Sequence, residues 1–145
     1  MKRSIFIGDA ISSLVLLLLL YTSLSKLANY NSFQFALSRS TLLQPFSTFL
    51  SSFIPLVELA ITVVLFIPAT REKGLYVATI LISVFTIYLL YMISFSPDLA
   101  CTCGGVLKSL TWPQHILFNL FFITIGVMGI VLYRKHRNSI AHTPP

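Results

Sequence analysis

This chain has few charged residues. Only 10% of its 145 residues are charged, and acidic residues number four. A soluble domain carries about a quarter charged residues, so the composition excludes an ordinary soluble protein. Hydrophobic residues make up 56% of the chain and the mean hydropathy is +0.87. Because spanning the hydrocarbon takes about 20 predominantly apolar residues per helix, the composition indicates a membrane protein.

Polar sequence long enough for a separate soluble domain is also missing. Most of the chain is taken up by four apolar runs, at roughly 5–27, 48–68, 75–95 and 114–133. We therefore predict an all-α fold, an integral membrane four-helix bundle that forms a single transmembrane domain over residues 1–145. The first run exceeds the roughly 7 to 15 residues of a signal-peptide core and has no convincing small-residue cleavage site after it, so we expect a span there.

The net charge of +6 would suggest nucleic acid in a soluble protein, but here the basic residues lie between and beyond the spans. They concentrate before span one, between spans two and three, and after span four. By the positive-inside rule, both termini and the middle loop face the cytoplasm, and the loop between spans three and four faces outward. We expect a multi-pass protein of the cell inner membrane that contacts lipid and does not bind nucleic acid.

The stretch between spans one and two is too polar to span and too apolar for a free loop. Phe33, Leu37 and either Thr41 or Leu42 recur at helical spacing. This pattern predicts an amphipathic segment along the outer membrane surface, where it would be a lid over the neighbouring outer loop.

Ionisable residues inside the spans are the first candidates for function. Glu58 falls near the middle of span two, where such a group is costly and usually faces the bundle interior. Either it locks helices together as a neutral hydrogen-bonded acid or it handles protons. Lys26 lies at the outer end of span one. There it is expected to extend to the membrane boundary, unless it faces inward, in which case it is a functional candidate. Asp9 is expected to be an interfacial carboxylate.

Span four carries one continuous helical face. His115, Asn119, Phe122, Gly126 and Gly129 follow at i, i+4, i+7, i+11 and i+14. The glycines suit close helix packing, and the His and Asn side chains could serve the same packing by forming hydrogen bonds between helices. His115 is nevertheless a candidate site residue, because it lies one turn into the helix that follows the outer loop.

That outer loop holds both cysteines of the chain, Cys101 and Cys103, in the stretch "ACTCGG". A disulfide across one residue is a tight ring, and strained, exposed disulfides tend to be exchangeable. A nearby imidazolium from His115, or an ammonium from Lys26 or Lys108, would favour the thiolate. A static disulfide hardly constrains the unfolded chain in so small a ring. Cys101, Cys103 and His115 could instead hold copper or zinc, a reading we rank below redox exchange.

Several of these pieces occur together in a known family. Four spans, "SKL" at the end of span one, "PLVE" in span two, "CTCGG" and the "TWPQHILFN" entry into span four resemble the methylamine-utilisation protein E (MauE) family of DoxX-like membrane proteins. The resemblance covers roughly residues 5–133. It implies a redox-associated protein whose relatives support maturation of a disulfide-rich enzyme subunit, and whose form is similar to quinone-linked disulfide-generating membrane enzymes.

The resemblance also implies site residues. By position, Cys101 and Cys103 match the family's C-x-C, Lys26 and Glu58 match its polar positions in spans one and two, and His115 matches the polar start of its last span. We therefore expect a thiol-disulfide oxidoreductase with a thioredoxin-like or other extracytoplasmic thiol protein as partner and a quinone as candidate carrier. The alternatives are a non-enzymatic assembly factor or subunit, and a copper- or zinc-binding protein.

Overall fold

The computed structural model describes residues 2–40, 42–95 and 112–141, which form five α-helices. They are α1 (Lys2–Ala28), α2 (Tyr30–Ser38), α3 (Ser47–Phe66), α4 (Arg71–Phe95) and α5 (Trp112–Ala141), with a 3-10 turn at Gln44–Phe46 before α3. All of them except α2 are long and apolar enough to span a membrane. A helix satisfies all its own backbone hydrogen bonds, as a segment crossing hydrocarbon must. The prediction of an all-α, four-span membrane bundle is confirmed, and the chain is a multi-pass membrane protein.

The four long helices run alternately up and down. α3 and α4 are joined by the turn at residues 67–70, and the end of the bundle that contains this turn is called here the turn end. At the opposite end α1 and α4 finish and α3 and α5 begin. Because segment 96–111 connects α4 to α5 there, we call it the cysteine end. Cys101 and Cys103 themselves lie outside the described residues.

Each long helix buries one stripe against its neighbours. On α5 the whole predicted face is buried: His115, Asn119, Phe122, Gly126 and Gly129. Gly126 and Gly129 allow close approach, because a Cβ at either position would meet Thr79 at 2.5 Å or Leu75 at 2.8 Å. α3 continues as a helix through the buried Pro55. The exposed faces of the long helices are mostly apolar, as contact with lipid requires.

The turn end is held by a polar cluster that links all four long helices. Arg71 Nη1 donates to Asp9 Oδ1 at 2.8 Å, and Tyr133 Oη donates to the same oxygen at 2.6 Å. Arg71 Nε also donates to the carbonyl oxygen of Leu65 at 3.2 Å. Asp9 is half-exposed, as expected for an interfacial carboxylate, and its described partners come from α4 and α5.

The short helix α2 packs against the cysteine end of α3. Its Phe33 and Leu37 are buried, as their spacing predicted. The Tyr30 hydroxyl accepts a hydrogen bond from Ser51 Oγ at 2.9 Å, and this bond lowers the pKa of Tyr30. The location of α2 along the membrane surface and its role as a lid stay predictions.

Candidate functional site

The candidate site is built around an ion pair inside the bundle. Lys26 of α1 donates through Nζ to Glu58 Oε1 of α3. The two residues are only 6% and 2% exposed. Lys26 therefore faces inward, and the expectation that it extends to the membrane boundary is wrong. The physical reason is that an unpaired carboxylate buried in mid-span is very unfavourable. Pairing Lys26 with Glu58 avoids that cost and outweighs the hydration that the ammonium gives up.

The local structure fixes both side chains. Glu58 lies one turn after Pro55 on the buried stripe of α3, and the hydroxyl of Thr62 donates to the Glu58 carbonyl oxygen at 2.8 Å. On α1, Thr22 and Lys26 are both buried and lie one turn apart. The ammonium of Lys26 also lies over the ring of Phe85, 4.8 Å from its centroid. A cation over an aromatic face is stabilised by the ring quadrupole.

A cavity of about 580 Å³ lies beside this pair, in the half of the bundle nearer the cysteine end. Most of its lining is leucine, isoleucine, valine and phenylalanine, contributed by all five helices. The polar side chains that line it are Thr22, Lys26, Glu58, Tyr88, Tyr91, His115 and Asn119. A mostly apolar cavity of this size with a few converging polar groups is typical of a small-molecule or cofactor site.

Three of the five predicted site residues therefore come together. Lys26, Glu58 and His115 line one cavity, and Asn119 lies one turn below His115 on the same face. The predicted pair Cys101 and Cys103 lies outside the described residues, in the stretch of sequence between α4 and α5. Metal binding by Cys101, Cys103 and His115 stays a prediction for the same reason.

Sequence reasoning missed three contributions to this site. The direct contact between Lys26 and Glu58 was not predicted, nor were the cavity itself and its aromatic wall at Phe85. The signal available for the first was modest: Thr22 and Lys26 are polar residues at i and i+4, after the apolar run from Leu14 to Leu20. Nothing in the sequence of α4 distinguished Phe85 from its lipid-facing neighbours.

The fold and the site together define a class, that of a four-span membrane protein with a buried ion pair in an apolar cavity at one end of its bundle. Within that class the chain belongs to the methylamine utilisation protein MauE family, whose model matches residues 4–132. No curated protein and no solved structure matches the chain.

Proposed function

We propose that this protein is a thiol-disulfide oxidoreductase of the inner membrane that supports disulfide formation in an extracytoplasmic partner and delivers the electrons to a quinone. The observation that carries the proposal is the cavity, because it brings Lys26, Glu58 and His115 together at the end of the bundle from which the cysteine segment leaves. The family name adds methylamine utilisation as the process that the matured partner would serve.

The proposed catalytic cycle has two steps. A thiolate of a thioredoxin-like or similar partner attacks the Cys101–Cys103 disulfide and forms a mixed disulfide. The partner's second thiol then resolves this mixed disulfide. The partner leaves with a disulfide and the C-x-C pair remains as a dithiol. Two electrons and two protons then pass from the dithiol to the quinone, which becomes a quinol, and the Cys101–Cys103 disulfide is restored.

The described residues suggest separate roles in this cycle. His115 lies in the first turn of α5, the helix that follows Cys101 and Cys103 in the sequence, and we assign its imidazole the role of favouring a thiolate. Lys26 was a second candidate for that role, but its charge is already engaged by Glu58. We therefore assign Lys26 and Glu58 the role of binding the quinone carrier in the cavity.

Differential alkylation with mass spectrometry tests the exchange. Membranes prepared anaerobically should contain Cys101 and Cys103 as dithiol, and an oxidised quinone added to them should convert the pair to disulfide. A Cys101→Ser variant should leave Cys103 alkylated throughout and is the matched control. A pair found in one redox state under every growth and oxidant condition would refute the proposal and favour a static assembly factor.

The same cysteines test the topology. A membrane-impermeant thiol reagent should modify the reduced pair in cells whose outer permeability barrier is opened, and should fail to modify it in inverted vesicles. The reverse pattern would place the pair in the cytoplasm, where persistent disulfides are rare, and would remove the basis for an extracytoplasmic partner.

A further inference from the structure

One oxygen of the buried ion pair is left without a partner. Glu58 Oε1 accepts from Lys26, whereas Glu58 Oε2 has no hydrogen-bond partner among the described residues. Glu58 is 2% exposed and lines the cavity. Buried polar atoms of native proteins are nearly always hydrogen-bonded, and a buried carboxylate oxygen is especially costly to leave unpaired. The hydroxyl of Thr22 lies beside Glu58 but donates to the Leu19 carbonyl oxygen at 3.2 Å, so Oε2 can accept from a donor that arrives with a ligand.

The other half of the pair calls for an acceptor. An ammonium has three N–H donors, so Lys26 can hold Glu58 and still donate to a ligand in the cavity. The pair has no net charge, and a phosphate head group that approached Lys26 would also approach the Glu58 carboxylate. The polar end of the cavity thus selects an uncharged head that both accepts and donates hydrogen bonds. Phe85, whose ring lies beside the ammonium, gives that end an aromatic wall.

Exposed apolar side chains of α3 and α4 lie at the rim of the cavity. α3 and α4 pack tightly at the turn end, where a Cβ on Gly74 would lie 3.1 Å from Leu65. Towards the cysteine end, side chains of both helices line the cavity and are also exposed: Phe53 on α3 is 48% exposed, and Val84 and Ile87 on α4 are 56% and 66% exposed. A ligand with an apolar tail would find a matching apolar surface between these exposed side chains.

We infer that an isoprenoid quinone enters between α3 and α4 and that its reduced ring is held between Lys26 and Glu58. The inference rests on the proposed function for the redox nature of the ligand. When the ring accepts two electrons and two protons from the C-x-C dithiol, its carbonyl oxygens become hydroxyls. A quinol hydroxyl donates to Glu58 Oε2 and accepts from Lys26 Nζ, whereas an oxidised quinone has acceptors only. The site therefore binds quinol more tightly than quinone.

Binding of decylubiquinol and decylubiquinone tests this, with the full protein in nanodiscs of uncharged lipid under anaerobic conditions. We expect the wild type to bind the quinol more tightly than the quinone. The double variant Lys26→Met, Glu58→Leu removes the pair without leaving a lone charge, and it should weaken quinol binding by about tenfold or more, the effect of losing a charge-assisted hydrogen bond. Quinol binding that is equal in wild type and folded double variant would overturn the assignment.

The entry route has its own matched pair of variants. Ile87→Trp narrows the opening and should slow quinol association, whereas Ile80→Trp, at a position 58% exposed on the same helix but outside the cavity lining, should leave the rate unchanged. Equal rates would refute lateral entry between α3 and α4. Displacement of the quinol by phosphatidylglycerol at comparable concentration would identify the occupant as an anionic lipid and overturn the choice of an uncharged head.

The two proposals fail separately. If the quinol does not bind while Cys101 and Cys103 still cycle with a partner thiol, the inference about the cavity is wrong. Another carrier then accepts the electrons from the exchange reaction. If a Cys101→Ser, Cys103→Ser variant binds quinol as tightly as the wild type, but the wild-type pair never changes redox state, the cavity assignment holds and the proposed function is wrong.

Discussion

Removal of one member of the Lys26–Glu58 pair should destabilise the bundle far more than removal of both. A Lys26→Met substitution leaves Glu58 in a site that is 2% exposed and apolar on most sides. Breaking a buried ion pair in this way lowers the free energy of unfolding by about 3–5 kcal/mol. That is about two to four powers of ten in the folding equilibrium, at about 1.4 kcal/mol for each tenfold change.

The double variant Lys26→Met, Glu58→Leu should unfold close to the wild type, because apolar side chains of similar volume replace a buried pair with little net change. Equilibrium unfolding in mixed micelles with increasing dodecyl sulfate, followed by circular dichroism, measures all three proteins. The exposed Lys73 supplies the control, since Lys73→Met should change stability by no more than about 0.5 kcal/mol. A Lys26→Met loss below about 1 kcal/mol would mean that water reaches the pair, as at a surface ion pair, and would refute the reasoning.

Two further predictions use the same unfolding assay. Gly126→Ala should lower the unfolding free energy by about 1–3 kcal/mol, because its Cβ would lie 2.5 Å from Thr79 Oγ1. Adding Thr79→Ala should restore most of the loss, and no recovery in the double variant would contradict this contact. Tyr133→Phe should lower the unfolding free energy by about 0.5–1.5 kcal/mol through loss of the hydrogen bond to Asp9. Arg137→Ala, at an exposed ion pair, should change it by an amount near zero. Equal effects of the two substitutions would contradict the role of the turn-end cluster.

The helices could be predicted because hydrophobicity alone decides them. A run of about 20 apolar residues in lipid must form a helix to satisfy its backbone, so four such runs specify four spans. The buried face of α5 was also predictable, since His115, Asn119 and Gly126 break an apolar pattern at helical spacing. The helices extend beyond the predicted runs, for example to Ala141, because the hydrophobic pattern marks only the apolar part of each helix.

The contact of Lys26 with Glu58 could not be predicted from the same reasoning. α1 is apolar on nearly every side between Leu14 and Leu20, so its sequence hardly determines which face meets α3. The rotation is fixed by long-range packing and by the need of Glu58 for a cation. Residues that bond between helices distant in sequence, such as Asp9 and Arg71, were missed for the same reason.

The order of the ion pair along the chain has a consequence for biogenesis. Glu58 makes membrane insertion of α3 less favourable, because an acidic residue near the centre of a helix opposes partitioning by about 2.5–3.5 kcal/mol on insertion scales. Lys26 belongs to α1, which is synthesised earlier, so the cation that neutralises Glu58 is already in the bilayer when α3 leaves the translocon. We expect α3 to integrate as a hairpin against α1, and a full-length Lys26→Ala chain to be integrated less completely and degraded faster during pulse-chase labelling than a Lys26→Ala, Glu58→Leu chain.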